Sequence, residues 1–130
     1  MENEISYAIR GAAFKVHSAL GPGLLESVYE VSLNHELCKM GFNVQRQVGV
    51  PVIYDGITME QGFRIDLLVN DRVIVEIKSV ECIAEVHHKQ LVTYLKLTNK
   101  KLGLLINFNV TSLTDSIIRK VNGTGIAFGK

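Results

Sequence analysis

From Ile5 to Leu20 the apolar residues Ile5, Ala8, Ile9, Ala12, Ala13, Val16 and Leu20 recur three and four apart, one face of a helix, and Gly21-Pro22-Gly23 ends it. A second helical period runs from Leu24 through Val28, Val31, Leu33 and Leu37 to Met40, where Gly41 supplies the stop. The period then changes to alternation. Val44, Val48, Val50, Val52 and Ile53 lead into Tyr54-Asp55-Gly56, a hairpin signal, and a returning strand through Ile57 and Met59. Pro51 cannot donate to a ladder, so this first strand is expected at a sheet edge or broken near the proline. Phe63 to Ser79 holds two apolar strands joined around Asn70-Asp71. Glu85 to Thr98 returns to helical spacing through Val86, Leu91, Tyr94 and Leu95, and Leu102 to Phe108 is an almost wholly apolar run that fits a buried strand, parallel to its neighbour. A last helix is expected over Leu113 to Val121. Beyond it, Gly123-Thr124-Gly125 leads to an end that frays or adds a strand through Ile126-Ala127-Phe128. The predicted order is α-α-β-β-β-α-β, an α/β fold with a central mixed sheet flanked by helices.

A chain of 130 residues, 47% apolar and 21% charged, buries enough surface for one core without staples, so a single domain over 1–130 is expected. No run reaches the ~18 apolar residues of a membrane span, and the start Met1-Glu2-Asn3-Glu4 is acidic where a signal peptide is basic, which points to a cytoplasmic protein. Cys38 and Cys82 match neither a CxxC pair nor a zinc pattern and read as reduced, small apolar residues. The net charge of +1 gives no global attraction to nucleic acid, so any such affinity is local. Lys89, Lys96, Lys100 and Lys101 bunch together, but such a run reads first as a solvated face.

Charged residues inside apolar strands change the picture. Arg64, Asp66 and Leu68 fall on one face of their strand and Ile65, Leu67 and Val69 on the other, while Val73, Val75 and Ile77 oppose Ile74, Glu76 and Lys78. A three-residue turn at Asn70-Asp71-Arg72 pairs Val69 with Val73, Leu67 with Val75 and Ile65 with Ile77, and sets Asp66 opposite Glu76 and Arg64 opposite Lys78. A two-residue turn would mix the faces. Two carboxylates ~5 Å apart repel, so the patch needs a reason. One is a compensated ion-pair cluster, with Arg64 and Lys78 neutralising Asp66 and Glu76. The other is a divalent-metal site: hard oxygens from Asp66 and Glu76 suit Mg²⁺ or Mn²⁺, with Lys78 beside the water that attacks phosphorus.

Asp66 followed by Glu76-Ile77-Lys78 resembles the D…(D/E)xK signature of the PD-(D/E)xK nuclease superfamily, and Gln90-Leu91-Val92-Thr93-Tyr94 resembles the QxxxY motif of its RecB-like branch. Gly23-Leu24-Leu25-Glu26-Ser27-Val28-Tyr29 is similar to the signature of the GxxExxY family, as are Gly62-Phe63-Arg64-Ile65-Asp66 and Leu102 to Asn109. The resemblance covers Ile5 to Val121. It implies a restriction-endonuclease-like core in which Asp66, Glu76 and the Ile77 carbonyl hold the metal, Glu26 completes the shell or holds a second ion, and Lys78 orients water and steadies charge. Gln90 and Tyr94 would touch a substrate phosphate or order Lys78. For Glu26 the alternative is a capping role at the third position of a helix opened by Gly23, and for Tyr94 a packed ring with its hydroxyl satisfied. Tyr29, one turn past Glu26, reads as a packing residue, and His87 and His88, being adjacent, cannot face one metal together.

The expected function is Mg²⁺-dependent hydrolysis of DNA, with a homodimer or a partner protein supplementing the grip of so small a domain. The alternatives are an inactive nuclease fold kept for binding or regulation, and an RNA-directed nuclease.

Overall fold

The structure is a computed structural model that describes residues 1–123. The predicted helical stripes are the faces that become buried: Ile5, Ile9, Ala12, Ala13 and Val16 on α1 (Glu2–Leu20), and Leu33 and Leu37 on α2 (Glu26–Lys39). Five strands follow the pattern to one sheet: β1 (Val44–Tyr54), β2 (Ile57–Val69), β3 (Val73–Lys78), β4 (Leu102–Asn107) and β5 (Ile117–Val121), in the spatial order β1-β2-β3-β4-β5. α3 (Glu85–Thr98) crosses between β3 and β4, whose pairing is parallel, while the other neighbours are antiparallel. The expected mixed sheet flanked by helices is formed. α1 and α2 cover Leu67, Val69, Val73, Val75 and Ile77 on one face, and Leu91 and Leu95 of α3 cover Leu68, Ile74 and Leu105 on the other. Glu76 and Lys78 share the parity of Ile74 and so lie on the α3 side. No helix among the described residues is long and apolar enough to cross a membrane.

The expected helix over Leu113 to Val121 is instead β5. Ile117 pairs with Ile106 and Val121 with Leu102. β4 is buried at every position, and a helix here would have left its backbone edge unpaired inside the protein, so sheet completion overrides the local helical pattern. Ile126-Ala127-Phe128 lie outside the described residues.

Both hairpins turn where expected. Asp55 (φ 51°) and Gly56 (φ 79°) form a two-residue link between Tyr54 and Ile57, and β1 is an edge strand. The register shifts at Pro51, which stands against Glu60, Gln61 and Gly62. A side chain at Gly62 would begin 2.1 Å from Cγ2 of Val52, so this bulge requires glycine. At the second turn Asn70 and Asp71 take φ of 53° and 55°, and Val69 pairs with Val73 and Leu67 with Val75, the predicted register.

That ladder then stops. The expected pairs Ile65 with Ile77 and Arg64 with Lys78 do not form: β2 follows β1, with Ile65 on Val48 and Arg64 on Gly49, and parts from β3 at Asp66. Ile65 packs with Leu68 and Ile74 rather than with Leu67. Arg64 is exposed and donates to Gln61.

Candidate active site

The two strands part where their carboxylates are. Ile77 N donates to Oδ2 of Asp66 (2.8 Å), and Asp66 N donates to Oε2 of Glu76 (3.1 Å), so each acid replaces a missing ladder partner of the other strand. Lys78, half-buried, ends β3, and its carbonyl accepts from Phe108 N (2.9 Å).

Glu26 arrives from α2. It is the first residue of that helix after Leu25, not the third residue of a helix opened by Gly23, so it does not close a capping box. Its Oε2 instead accepts from Ser79 N (3.2 Å), while Ser79 Oγ donates to Leu24 O (2.6 Å). Tyr29 explains why the segment sits there. Fully buried, it stacks on Phe108 (centroids 4.5 Å apart, 6° between planes), donates to Gly21 O (2.6 Å) and accepts from Leu24 N (3.1 Å). Gly23, at φ 95°, makes the turn that this pin requires. The loop, the acid and the tyrosine act as one unit that fastens α2 to the end of β3.

From the opposite side, α3 brings Tyr94, whose ring stacks on Phe63 (4.1 Å, 13°). Burial, and then the charges of Glu76 and Asp66, push its phenol upward, so the ring edge lies within the field of both carboxylates. Gln90 is half-buried one turn earlier, and its side chain makes no hydrogen bond among the described residues. His87 Nδ1 accepts from Ala84 N (3.1 Å) and so caps α3. Cys38 and Cys82 are free thiols, both exposed rather than packed. Of the lysine group, Lys89 pairs with Glu85 and Lys100 binds Asp71.

Three positioning residues escape a reading of the sequence. Glu30, one turn beyond Glu26, is 5% exposed and accepts from Arg46 and Gln47. Its only sequence signal is a glutamate inside the Tyr29, Leu33, Leu37 stripe. Gln47, at φ 52°, touches both Glu30 and Asp66, and nothing in a residue name announces a left-handed backbone. Asn107 is buried at the end of an apolar strand and clamps Val80 through both its amide atoms (3.1 and 2.9 Å). A polar residue closing an otherwise apolar run was the available hint.

The electrostatics exclude a compensated ion-pair cluster among the described residues. No ion pair reaches Asp66, Glu76, Glu26 or Lys78. Burial, reinforced by the Asp66 charge, pushes the Glu76 carboxyl up to about 8, against the Asp66 backbone bond and the Lys78 charge. Burial also raises Asp66, and Glu30 and Glu26 add to the rise, against the Ile77 amide and Lys78. No three or more His, Cys, Asp or Glu side chains among the described residues converge as a ready-made cage. Mg²⁺ does not ask for one: it keeps several waters and takes one or two carboxylates together with phosphate oxygens. The donor set of Asp66 and Glu76, hard oxygens that no salt bridge occupies among the described residues, fits such an ion.

The PD-(D/E)XK nuclease superfamily model matches residues 3–120, nearly the whole chain. The chain belongs to the PD-(D/E)XK nuclease superfamily. No curated protein sequence matches significantly. Among solved structures, the crystal structure of SSO0001 is similar, with a TM-score of 0.49 and 24% identity over 73% of this chain, which spans 48% of that protein.

Proposed function

We propose that this superfamily member is a Mg²⁺- or Mn²⁺-dependent nuclease that hydrolyses phosphodiester bonds of DNA. Asp66 and Glu76 would hold the cation, with the Ile77 carbonyl and Glu26 beside them. The observation that carries this reading is a buried Glu76 beside a half-buried Asp66, neither in an ion pair among the described residues, next to a half-buried lysine that forms no ion pair there either. When bound, the cation supplies Lewis-acid polarisation of the phosphate and lowers the pKa of water. The Ile77 and Asp66 amides each fix one oxygen of the pair, which leaves Oε1 of Glu76, and Oδ1 of Asp66 with its long Gln47 contact, to face the site. Lys78, its backbone held by Phe108, steadies charge developing on the phosphate. Tyr94 and Gln90, on one face of α3, orient a phosphate oxygen, and the Phe63–Tyr94 stack shields the pair from bulk water.

Placement in the GxxExxY group is supported by the way Gly23, Glu26 and Tyr29 work as a single fastening, and placement in the QxxxY branch by Tyr94 lying in the field of the acids. A cytoplasmic setting and a second copy or a partner that helps grip DNA complete the reading.

The test is cleavage of linear, nicked, circular and single-stranded DNA, and of RNA, with Mg²⁺ or Mn²⁺ against chelator, for wild type, Asp66→Ala and Lys78→Ala. Metal-dependent cutting of DNA that both substitutions abolish is expected. Preference for RNA would correct the substrate. No cutting with any metal, and nucleic-acid binding untouched by either substitution, would make the protein a binding module.

A further inference from the structure

We infer that Gln47, held in place by Glu30 and Arg46, is the positioning residue that presets Asp66 for its cation; the inference rests on the metal-site reading of Asp66 above. Gln47 sits in the left-handed region (φ 52°) within β1, yet the register runs unshifted across it, with Arg46 on Leu67 and Val48 on Ile65. No residue is inserted there, so the unusual backbone serves no bulge. A glutamine has no intrinsic preference for that conformation and keeps it only where its surroundings impose it.

Glu30 and Arg46 are those surroundings. Arg46 donates through Nε and a terminal nitrogen, each 3.1 Å from Oε2 of Glu30, and Glu30 is 5% exposed. One oxygen of Glu30 is therefore fixed by the guanidinium, and the other accepts from Nε2 of Gln47 at 2.6 Å. The same Nε2 lies 3.4 Å from Oδ1 of Asp66, whose Oδ2 is tied to the Ile77 amide. Asp66 is thus held at both ends: tightly at the oxygen that faces β3, loosely at the oxygen that faces Gln47.

The chemistry of each member suits that task. A neutral amide orients Oδ1 without cancelling its charge, whereas a lysine or arginine here would occupy the carboxylate and repel a cation. The long contact leaves the Oδ1 lone pairs open to a better partner. The guanidinium of Arg46 is absorbed by Glu30, which keeps it off Asp66.

The experiment compares wild type, Gln47→Met and Glu30→Gln, with Mn²⁺ affinity from calorimetry and exchange of the Ile77 amide proton from NMR of the metal-free protein. Gln47→Met keeps length and removes the donor; it is expected to weaken Mn²⁺ ~10–100-fold, the usual effect of losing a group that orients a ligand. It should also speed Ile77 exchange while the Leu105 amide is unaffected. Glu30→Gln puts an amide nitrogen where an oxygen held Arg46 or Gln47, so it should weaken Mn²⁺ in the same direction as Gln47→Met. A merely structural Gln47 would shift the melting temperature and spread exchange changes evenly. Should Gln47→Met not fold, Gln47→Gly removes the amide and suits the left-handed backbone. Unchanged Ile77 exchange together with unchanged affinity overturns the inference. Failure of wild type to take up Mn²⁺ removes the nuclease reading, and the Ile77 amide still decides whether Gln47 presets Asp66.

Discussion

Glu30 and Glu76 are each 5% exposed, lie in the same neighbourhood and are satisfied in opposite ways. Glu30 has the treatment expected of a structural buried acid: a guanidinium on one oxygen and an amide on the other. Glu76 has one backbone amide and a second carboxylate as its neighbour, and burial, reinforced by the Asp66 charge, holds its carboxyl up to about 8. Arg64, which could have served Glu76 as Arg46 serves Glu30, is turned to solvent by the parting of β2 from β3. The difference teaches that burial alone does not mark a functional acid. What marks it is burial without compensation.

The comparison breaks most visibly in activity. Asp66→Ala or Glu76→Ala should lower metal-dependent cleavage by at least ~1000-fold, about 4 kcal/mol of barrier, measured in single turnover. Glu30→Leu should act on stability as well: loss of the Arg46 partner is expected to cost ~2–3 kcal/mol in denaturant unfolding, less than a fully buried pair because Arg46 is 42% exposed. Glu76→Gln should do the reverse and stabilise the metal-free protein by ~2 kcal/mol above pH 8. The sign follows from proton linkage. A carboxyl held at about 8 when folded and at its usual 4.5 when unfolded binds more protons in the folded state. Stability is therefore full below pH 4.5 and declines as pH rises through 8. Melting curves of wild type and Glu76→Gln across that window should diverge with rising pH and converge at the acid end; parallel curves would refute the uncompensated pair. The smallest effect belongs to Arg64→Ala, which should leave stability within ~0.5 kcal/mol and Mn²⁺ affinity unaltered.

The elements were legible because their periods are clean. α3 runs over Glu85–Thr98, the stretch its spacing predicts, and the turn at Asn70-Asp71 gives the register chosen by burial. The tail misled because Ile117 and Ile118 fit a helical stripe as readily as a strand, and only the need of β4 for a neighbour decides between them. Asp66, Glu76 and Lys78 stood out as charges inside apolar strands, and the structure brings them together. What the strand pattern could not reveal was how they meet. Simple alternation implies side chains facing across a continuous ladder, whereas the ladder opens and each acid bonds to backbone. Glu26 drew notice through its motif, but its contact with Ser79, 53 positions away, depends on the Tyr29 pin and on packing that no local pattern encodes. Glu30 and Gln47 stayed hidden for the same reason: they matter only to one another and to Asp66 in three dimensions.

The parallel pairing of β3 with β4 has a consequence for how the chain folds during synthesis. Every acid of the site precedes Leu102, so all of them leave the ribosome before β4 and β5, which complete the sheet. Until α3 crosses over and β4 docks, β3 presents a bare edge of apolar residues, the kind that pairs with other chains. Asn107 has not yet seized Val80, and Phe108 has not yet fixed Lys78. The acid pair belongs to the β2–β3 hairpin, but the frame that stiffens it arrives only with β4, late in synthesis.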